Sequence, residues 1–294
     1  MQKTTSNRTT PKGIILLFLT ALIWGTSFVA QEVGSKSLGP LTFIGIRTIL
    51  GLIVVFPFLL IRDRGFKFDR KLIKSGVILG VVFCFAETLQ QFAFNYSTSG
   101  RIAFVTAFYI FIVPIIGLFT GKRYSILTWV SLAMGIAGLF LIVINPEDLG
   151  AVNPGDFITL ACAVFFAIQI VLIDKYTGEG VDGVRLSFMQ LLVASLILLV
   201  AMFIVEKPSL GSVMSAVPSL AYSGVVSCGI AYTLQIAGQK NCAPVIASLI
   251  MCLESVFAVI AAALLLGQTM SLREGIGCAV MFAAIALSQF ANRK

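Results

Sequence analysis

Apolar residues in this chain run in ten long blocks, each about as long as a helix that crosses a lipid bilayer. Such a helix takes about 20 consecutive, mostly apolar residues. Polar and turn-forming residues separate the blocks, and most of the connections are short. The pattern predicts an all-α, polytopic membrane protein with ten transmembrane helices, at residues 13–31, 40–61, 72–94, 102–121, 126–144, 156–173, 186–205, 213–236, 244–266 and 275–291.

The first five blocks resemble the last five. The letters GVVFC at residues 80–84, followed by TLQ at 88–90, return as GVVSC at 224–228, followed by TLQ at 233–235. Other matched positions lie 142 to 146 residues apart in an ordered series along the chain. Because short insertions in loops make such offsets grow slowly, the series indicates an internal duplication.

An odd number of spans in each copy forces the two copies into opposite orientations. We therefore predict two inverted five-helix repeats, an architecture that is typical of secondary transporters. A turn-rich connection at 145–155 marks the boundary. The predicted repeats are residues 1–148 and 149–294.

Composition and charge agree with a membrane location. Hydrophobic residues make up 58% and charged residues 12% of the chain, against about half and about a quarter in soluble domains. Sixteen of the 21 Lys and Arg residues fall on the side that holds both termini. Since basic loops stay in the cytoplasm, we predict a bacterial cytoplasmic membrane protein with both termini cytoplasmic. The net charge then reflects topology, and no nucleic-acid partner is expected.

Several chemistries lack the residues that they require. The chain has no histidine, which excludes triads and metal sites that depend on that residue. The six cysteines lie in or beside apolar blocks without metal-ligand spacing, and no phosphate-binding loop is present. We therefore expect no enzyme activity, no cofactor and no metal.

Three ionisable residues stand out well inside predicted spans, and a group near the bilayer centre costs about 2.5 to 3.5 kcal/mol on insertion scales. Arg47 and Glu87 each lie about seven residues from the outer end of a span, so their depths match. Either they neutralise each other, or they face a cavity and contact a charged substrate. Glu254 lies near the midplane with no basic residue at its depth. It either exchanges a proton during transport or stays neutral and bonded to the helix backbone.

Uncharged polar and aromatic residues extend the candidate site. Gln90 and Gln235 are repeat counterparts, and Gln190 is the counterpart of Arg47. Amides can bind polar solutes, although bonds between helices are their commoner use. Tyr109 and Tyr232 could line a pathway, with lipid contact as the alternative.

Three segments carry a resemblance to a known family. The letters ALIWGTSFV at residues 21–29, Pro40 together with Arg47, and ESVFA at 254–258 through LLLGQ at 264–268 resemble EamA-like members of the drug/metabolite transporter superfamily. The resemblance covers essentially the whole chain.

This resemblance implies a ten-helix fold with a central solute cavity, lined largely by helices 3, 4, 8 and 9. It also implies the export of amino acids or other small metabolites, with Trp24, Arg47 and Glu254 at matched positions. Ser255 and Gln268 depart from the family pattern, which commonly has Pro and Glu there. The resemblance therefore leaves the geometry of the ninth helix and of the following loop open.

Taken together, these features favour a secondary transporter that exports amino acids or related small metabolites by alternating access. An exporter of lipophilic cations that uses a membrane carboxylate is the alternative, and a membrane-embedded enzyme or scaffold is a third class. The expected partners are a small-molecule substrate and the lipid bilayer, and proton coupling stays open. The predicted substrate-binding residues are Trp24, Arg47, Glu87, Gln90, Tyr109, Gln190, Tyr232, Gln235 and Glu254.

Overall fold

Ten apolar helices form the computed structural model, which describes residues 9–63, 68–143, 153–266 and 271–291. Nine are long and apolar enough to cross a membrane by themselves, and the fifth is shorter. No strand occurs in these ranges. The predicted fold of two inverted five-helix repeats is confirmed. The helices are α1 (Pro11–Ser35), α2 (Pro40–Arg62), α3 (Arg70–Ala93), α4 (Ser99–Phe119), α5 (Ile126–Val143), α6 (Pro154–Gly178), α7 (Gly183–Val205), α8 (Val217–Gln239), α9 (Pro244–Met251 and Leu253–Leu266) and α10 (Leu272–Ala291).

Because of polar side-chain caps, several helices begin two or three residues before the predicted apolar blocks. The Asp69 carboxylate accepts a hydrogen bond from the Leu72 N–H at 2.7 Å at the start of α3. Asn153 and Asp156 form a reciprocal capping box at the start of α6. Because side-chain caps satisfy the free N–H groups of the first turn, these helices can begin in polar sequence that hydropathy alone does not assign.

Helices from the two repeats pack in matching ways. A Cβ atom at Gly80 on α3 would lie 3.0 Å from the carbonyl oxygen of Gln190 on α7. A Cβ atom at Gly224 on α8 would lie 3.1 Å from the carbonyl oxygen of Arg47 on α2. Gly80 and Gly224 are repeat counterparts, and so are Arg47 and Gln190. The third helix of each repeat therefore packs closely on the second helix of the other, as inverted pseudo-symmetry requires.

The fourth helix of each repeat is broken at equivalent points. In α4 the helical segments are Ser99–Thr106 and Tyr109–Phe119, and in α9 the break falls at Cys252. The two breaks touch, with 3.9 Å between the Ala107 carbonyl oxygen and the Cys252 Sγ atom. Hence α9 breaks although Ser255 stands where the family commonly has proline. Gln268 lies outside the described ranges.

At one end of the bundle, ion pairs between described residues join the first repeat to the second. This end contains the connections that the charge pattern assigns to the cytoplasm. The predicted repeat boundary, between residues 148 and 149, lies outside the part of the chain that is described. The pairs are Arg62–Asp182 at 2.6 Å, Arg185–Asp63 at 2.8 Å, Lys122–Asp174 at 3.2 Å and Lys71–Glu179 at 3.7 Å.

Neutralising Asp63 should lower stability in a pH-dependent way. The hydrogen bond from Arg185 lowers the pKa of the Asp63 carboxyl below its ordinary value. A lowered pKa in the folded state contributes stability above the unfolded pKa, which is about 3.9, and this stability is lost as pH falls through the folded pKa. In detergent, Asp63→Asn should therefore unfold at a slightly lower temperature than the parent at pH 7, with the difference shrinking below about pH 4. Lys74→Gln, at an exposed lysine of the same end, is the control, and a difference that does not depend on pH would contradict the pairing.

Cysteine labelling should test the orientation that the charge pattern predicts. Glu179 follows the last residue of α6, and Lys207 follows the end of α7. Both residues are exposed, and they lie at opposite ends of the bundle. In intact cells, Lys207→Cys should react with a membrane-impermeant maleimide from outside, and Glu179→Cys should react only after the cells are opened. The reverse pattern would invert the topology.

Candidate functional site

A buried ion pair joins α2 to α3. Arg47 Nη1 lies 2.8 Å from Glu87 Oε2, and the two side chains are 1% and 0% exposed. Of the two alternatives for these residues, the structure has the direct pair, at the matched depth that their positions in the sequence predicted. Since a buried charge needs a partner of opposite sign, each residue explains the presence of the other.

Three further side chains form hydrogen bonds with this pair. Arg47 donates from Nη1 to Gln31 Oε1 at 2.8 Å and from Nη2 to Ser227 Oγ at 3.3 Å. The Tyr232 hydroxyl donates to Glu87 Oε1. Both carboxylate oxygens of Glu87 are therefore occupied, one by Arg47 and one by Tyr232. The network connects α1, α2 and α3 of the first repeat with α8 of the second.

A narrow cavity lies where the repeats meet, next to this network. Its volume is about 20 Å³ for contents the size of water, and one water molecule needs about 10 to 15 Å³ by that measure. In this conformation the water-accessible part of the cavity has no room for a solute as large as an amino acid. The lining residues are Trp24, Phe28, Gln31, Arg47, Gln90, Thr106, Tyr109, Phe166, Gln169, Ile170, Tyr232, Gln235, Met251 and Glu254.

Seven of the nine predicted site residues line this cavity, and two lie behind it. Glu87 is covered by Arg47 and Tyr232. Gln190 accepts a hydrogen bond from Gln169 at 3.0 Å and is absent from the lining.

The expected lining by helices 3, 4, 8 and 9 needs a correction. Helices α1 and α6 supply six of the fourteen lining residues, because α1 packs along α8 and α9 while α6 packs along α3 and α4. Gln31 and Gln169 were missing from the predicted set. The available signal was a polar amide in apolar sequence: Gln169 lies within a predicted block, and Gln31 ends one.

Among the described residues, Glu254 is the one acidic residue that lines the cavity. It is 4% exposed, and within the described ranges no hydrogen bond or ion pair joins its carboxyl group to another side chain. It is the second residue of the helical segment Leu253–Leu266. The N-terminus of a helix favours a negative charge through its free N–H groups, so the break in α9 provides an environment for this carboxylate.

Other buried polar atoms of the lining residues also have no hydrogen-bond partner among the described residues. Trp24 Nε1 and Arg47 Nε are unpaired donors, and Gln235 Oε1 is an unpaired acceptor. The amide nitrogen of the same side chain, Gln235 Nε2, donates to Gln169 Oε1 at 3.3 Å. Because an unpaired buried polar group costs about 1 to 3 kcal/mol, a cavity that keeps both donors and acceptors unpaired is suited to a solute that carries both kinds of group.

Comparison with known proteins identifies the family. The family model described as the EamA-like transporter family matches residues 11–144 and again residues 153–290. An uncharacterized transporter of Archaeoglobus fulgidus is 28% identical over 162 residues, which cover 55% of this chain and 48% of the relative. The uncharacterized inner membrane transporter YedA of Escherichia coli K12 is 26% identical over 284 residues, which cover 92% of this chain and 88% of YedA.

Two further likenesses concern fold and substrate. A solved structure described only as a crystal structure of a protein aligns with a TM-score of 0.76 over 94% of this chain and 98% of that chain, at 18% identity, and shows the shared fold. An S-adenosylmethionine/S-adenosylhomocysteine transporter of Chlamydia muridarum is 30% identical over 99 residues, which cover 33% of this chain and 31% of the relative.

The family and the names of these relatives indicate a transporter and not an enzyme. The chain is a multi-pass membrane protein, with a small-molecule substrate and the lipid bilayer as its partners. Both family matches together span nearly the whole sequence. This protein belongs to the EamA-like transporter family.

Proposed function

We propose that this protein is a secondary transporter of the cytoplasmic membrane that exports amino acids or related small metabolites by alternating access. The observation that carries the proposal is the mixture of polar groups in the residues that line the cavity. Glu254 and Gln235 Oε1 are acceptors for an ammonium group, and Trp24 Nε1 and Arg47 Nε are donors for a carboxylate. A zwitterion offers both groups.

The charges of the site favour an amine-bearing solute. Arg47 and Glu87 neutralise each other at 2.8 Å, so neither contributes a net charge to the cavity. Glu254 alone remains to balance a positive charge, and Trp24, Phe166 and Tyr232 supply aromatic faces beside it. A cation over an aromatic ring gains about 2 kcal/mol when it is desolvated.

Alternating access is supported by the way the two repeats are joined. The ion pairs at the predicted cytoplasmic end, with exposed fractions between 12% and 52%, are of the weak, exchangeable kind. The breaks in α4 and α9 lie beside the cavity. Rocking of one repeat against the other would part the ion pairs and open the cavity to the cytoplasm.

An exporter of lipophilic cations is the second candidate, because Glu254 has no cationic partner among the described residues and shares the cavity lining with aromatic residues. In either case Glu254 can hold a proton when the solute is absent. We therefore propose that solute and proton compete for Glu254, which would couple export to proton entry. The S-adenosylmethionine named for the relative carries both an amino-acid group and a positive sulfonium, and fits both candidates.

Glu254→Gln should abolish coupled transport. In proteoliposomes, amino-acid and tetraphenylphosphonium transport should each be measured with and without a pH gradient. Loss of the charge-assisted hydrogen bond should reduce transport by about tenfold or more and remove the response to the gradient. Glu274→Gln, which neutralises an acid in the first turn of α10, is the matched control.

The outcomes separate the two candidates. Competition by amino acids supports the first, and transport of tetraphenylphosphonium alone supports the second. Full activity of Glu254→Gln, together with an unchanged response to the pH gradient, would refute the assigned role of this residue.

Removing one partner of the Arg47–Glu87 pair should cost more stability than removing both partners. Either Arg47→Met or Glu87→Gln alone leaves one buried group without its partner, which costs about 3 to 5 kcal/mol. The double variant should recover most of the lost thermal stability in detergent, because no uncompensated charge remains. A double variant that is as unstable as the two single changes combined would contradict mutual neutralisation.

A further inference from the structure

Three glutamine side chains form a hydrogen-bonded chain that leads away from the cavity. Gln235 of α8 donates from Nε2 to Gln169 Oε1 at 3.3 Å, and Gln169 of α6 donates from Nε2 to Gln190 Oε1 of α7 at 3.0 Å. The three residues are 1%, 0% and 0% exposed. Gln235 and Gln169 line the cavity, whereas Gln190 does not. The chain therefore connects the wall of the cavity to a residue outside its lining.

Each end of this amide chain has one polar atom without a hydrogen-bond partner among the described residues. These atoms are Gln235 Oε1 at the cavity end and Gln190 Nε2 at the far end. An amide group has an acceptor oxygen and a donor nitrogen of similar size, and rotation of its last torsion by about 180° exchanges their positions. The same three side chains can therefore bond in the opposite direction without a movement of any helix.

Reversal of the amide chain conserves the number of hydrogen bonds. In the reversed form, Gln190 Nε2 donates to Gln169 Oε1, and Gln169 Nε2 donates to Gln235 Oε1. The free atoms are then Gln235 Nε2 at the cavity end and Gln190 Oε1 at the far end. Since both directions have two bonds and two free atoms, the bond count favours neither. Reversal changes the free atom at the cavity end from an acceptor to a donor.

Another amide of the cavity lining lacks this freedom. Gln31 Oε1 accepts a hydrogen bond from Arg47 Nη1 at 2.8 Å. Because a guanidinium group has donors and no acceptor, the oxygen of Gln31 must face Arg47. Gln190 is the repeat counterpart of Arg47, and its amide can both donate and accept. The second repeat therefore has a reversible partner at the position where the first repeat has a fixed donor.

We propose that the Gln235–Gln169–Gln190 chain reverses to match the solute, which makes Gln190 a specificity-determining residue outside the cavity lining. In one direction the chain offers the acceptor Gln235 Oε1 to a donor group such as an ammonium. In the other direction it offers the donor Gln235 Nε2 to an acceptor group such as a carboxylate. The inference rests on the proposed function, and it lets one cavity accept amino acids and related metabolites that differ in which polar group reaches Gln235.

Gln190→Glu should fix the direction of the chain. A buried carboxyl group without a cationic partner takes up a proton, and its O–H group is a stronger donor than an amide N–H. The new O–H should donate to Gln169 Oε1, which leaves Gln235 Nε2 at the cavity end. Binding of acids should then gain about fivefold over binding of amines, the value of one hydrogen bond. A negative charge at this position would have the opposite effect, because it would favour amines.

The probes for this variant come from the amino acid that the parent transports fastest. They are the amine that lacks its carboxylate and the acid that lacks its ammonium group, each tested as an inhibitor of transport in proteoliposomes without a pH gradient. Gln190→Met keeps a side chain of similar volume without an amide. It is the matched control and should leave the ratio of the two inhibition constants unchanged. In Gln190→Glu, an unchanged ratio or a shift towards the amine would overturn the proposal.

Nuclear magnetic resonance follows the amide chain without a transport assay. The protein is labelled with nitrogen-15 in its glutamine side chains and placed in nanodiscs, and Gln235→Met and Gln190→Met identify two of the signals. Without any solute, the Gln235 signal should move further in Gln190→Glu than in Gln190→Met, although residue 190 makes no bond to Gln235. An equal or smaller movement in Gln190→Glu would show that the two ends are not coupled.

These measurements separate failure of the inference from failure of the proposed function. If Gln190→Glu does not fold, the parent decides. The acid should move its Gln190 signal towards that of a bonded N–H, and the amine should move it towards that of a free N–H. Movements in the same direction would overturn the inference. If the parent transports no amino acid, the proposed function fails, and the signals recorded without solute still decide whether the chain reverses.

Discussion

The high cost of an uncompensated charge inside a bilayer organises the polar centre of this protein. Arg47 can be buried at 1% exposure because Glu87 lies 2.8 Å away and because Gln31 and Ser227 accept hydrogen bonds from its Nη1 and Nη2 atoms. Glu87 in turn needs Tyr232 from the second repeat. The network therefore ties the halves together at membrane depth, and it leaves Glu254 as the acidic group of the cavity that has no partner in the described part of the chain.

Duplication provides the frame for this centre, and a departure from symmetry gives it chemistry. The contact of α3 with α7 repeats in the contact of α8 with α2, which brings counterpart positions face to face at the axis. Identical residues there would put like charges or like amides in contact. Divergence has instead paired a carboxylate with a phenol, at Glu87 and Tyr232. Likewise, Arg47 in the first repeat corresponds to Gln190 in the second.

Much of the fold followed from hydropathy and self-similarity, since lipid imposes a simple rule on which residues can surround a helix. Depth along a helix is also readable, which is why the Arg47 and Glu87 pair could be anticipated. Rotation about the helix axis and partners from other helices are not readable. Gln190 was placed in the site and lies behind Gln169, and Gln31 was missed although it holds Arg47. The break in α9 could not be predicted from a proline, because Ser255 stands where the family commonly has one.

The central claim is that a solute binds between the repeats with its positive group on Glu254, while Arg47 remains on Glu87. The most direct measurement is a cryo-electron microscopy structure in lipid nanodiscs with a transported amino acid bound. The account predicts the ammonium within hydrogen-bond distance of the Glu254 carboxylate, an unbroken Arg47–Glu87 pair, and a cavity widened well beyond its present 20 Å³. A solute bound elsewhere, or one held by Arg47 after it has left Glu87, would contradict it.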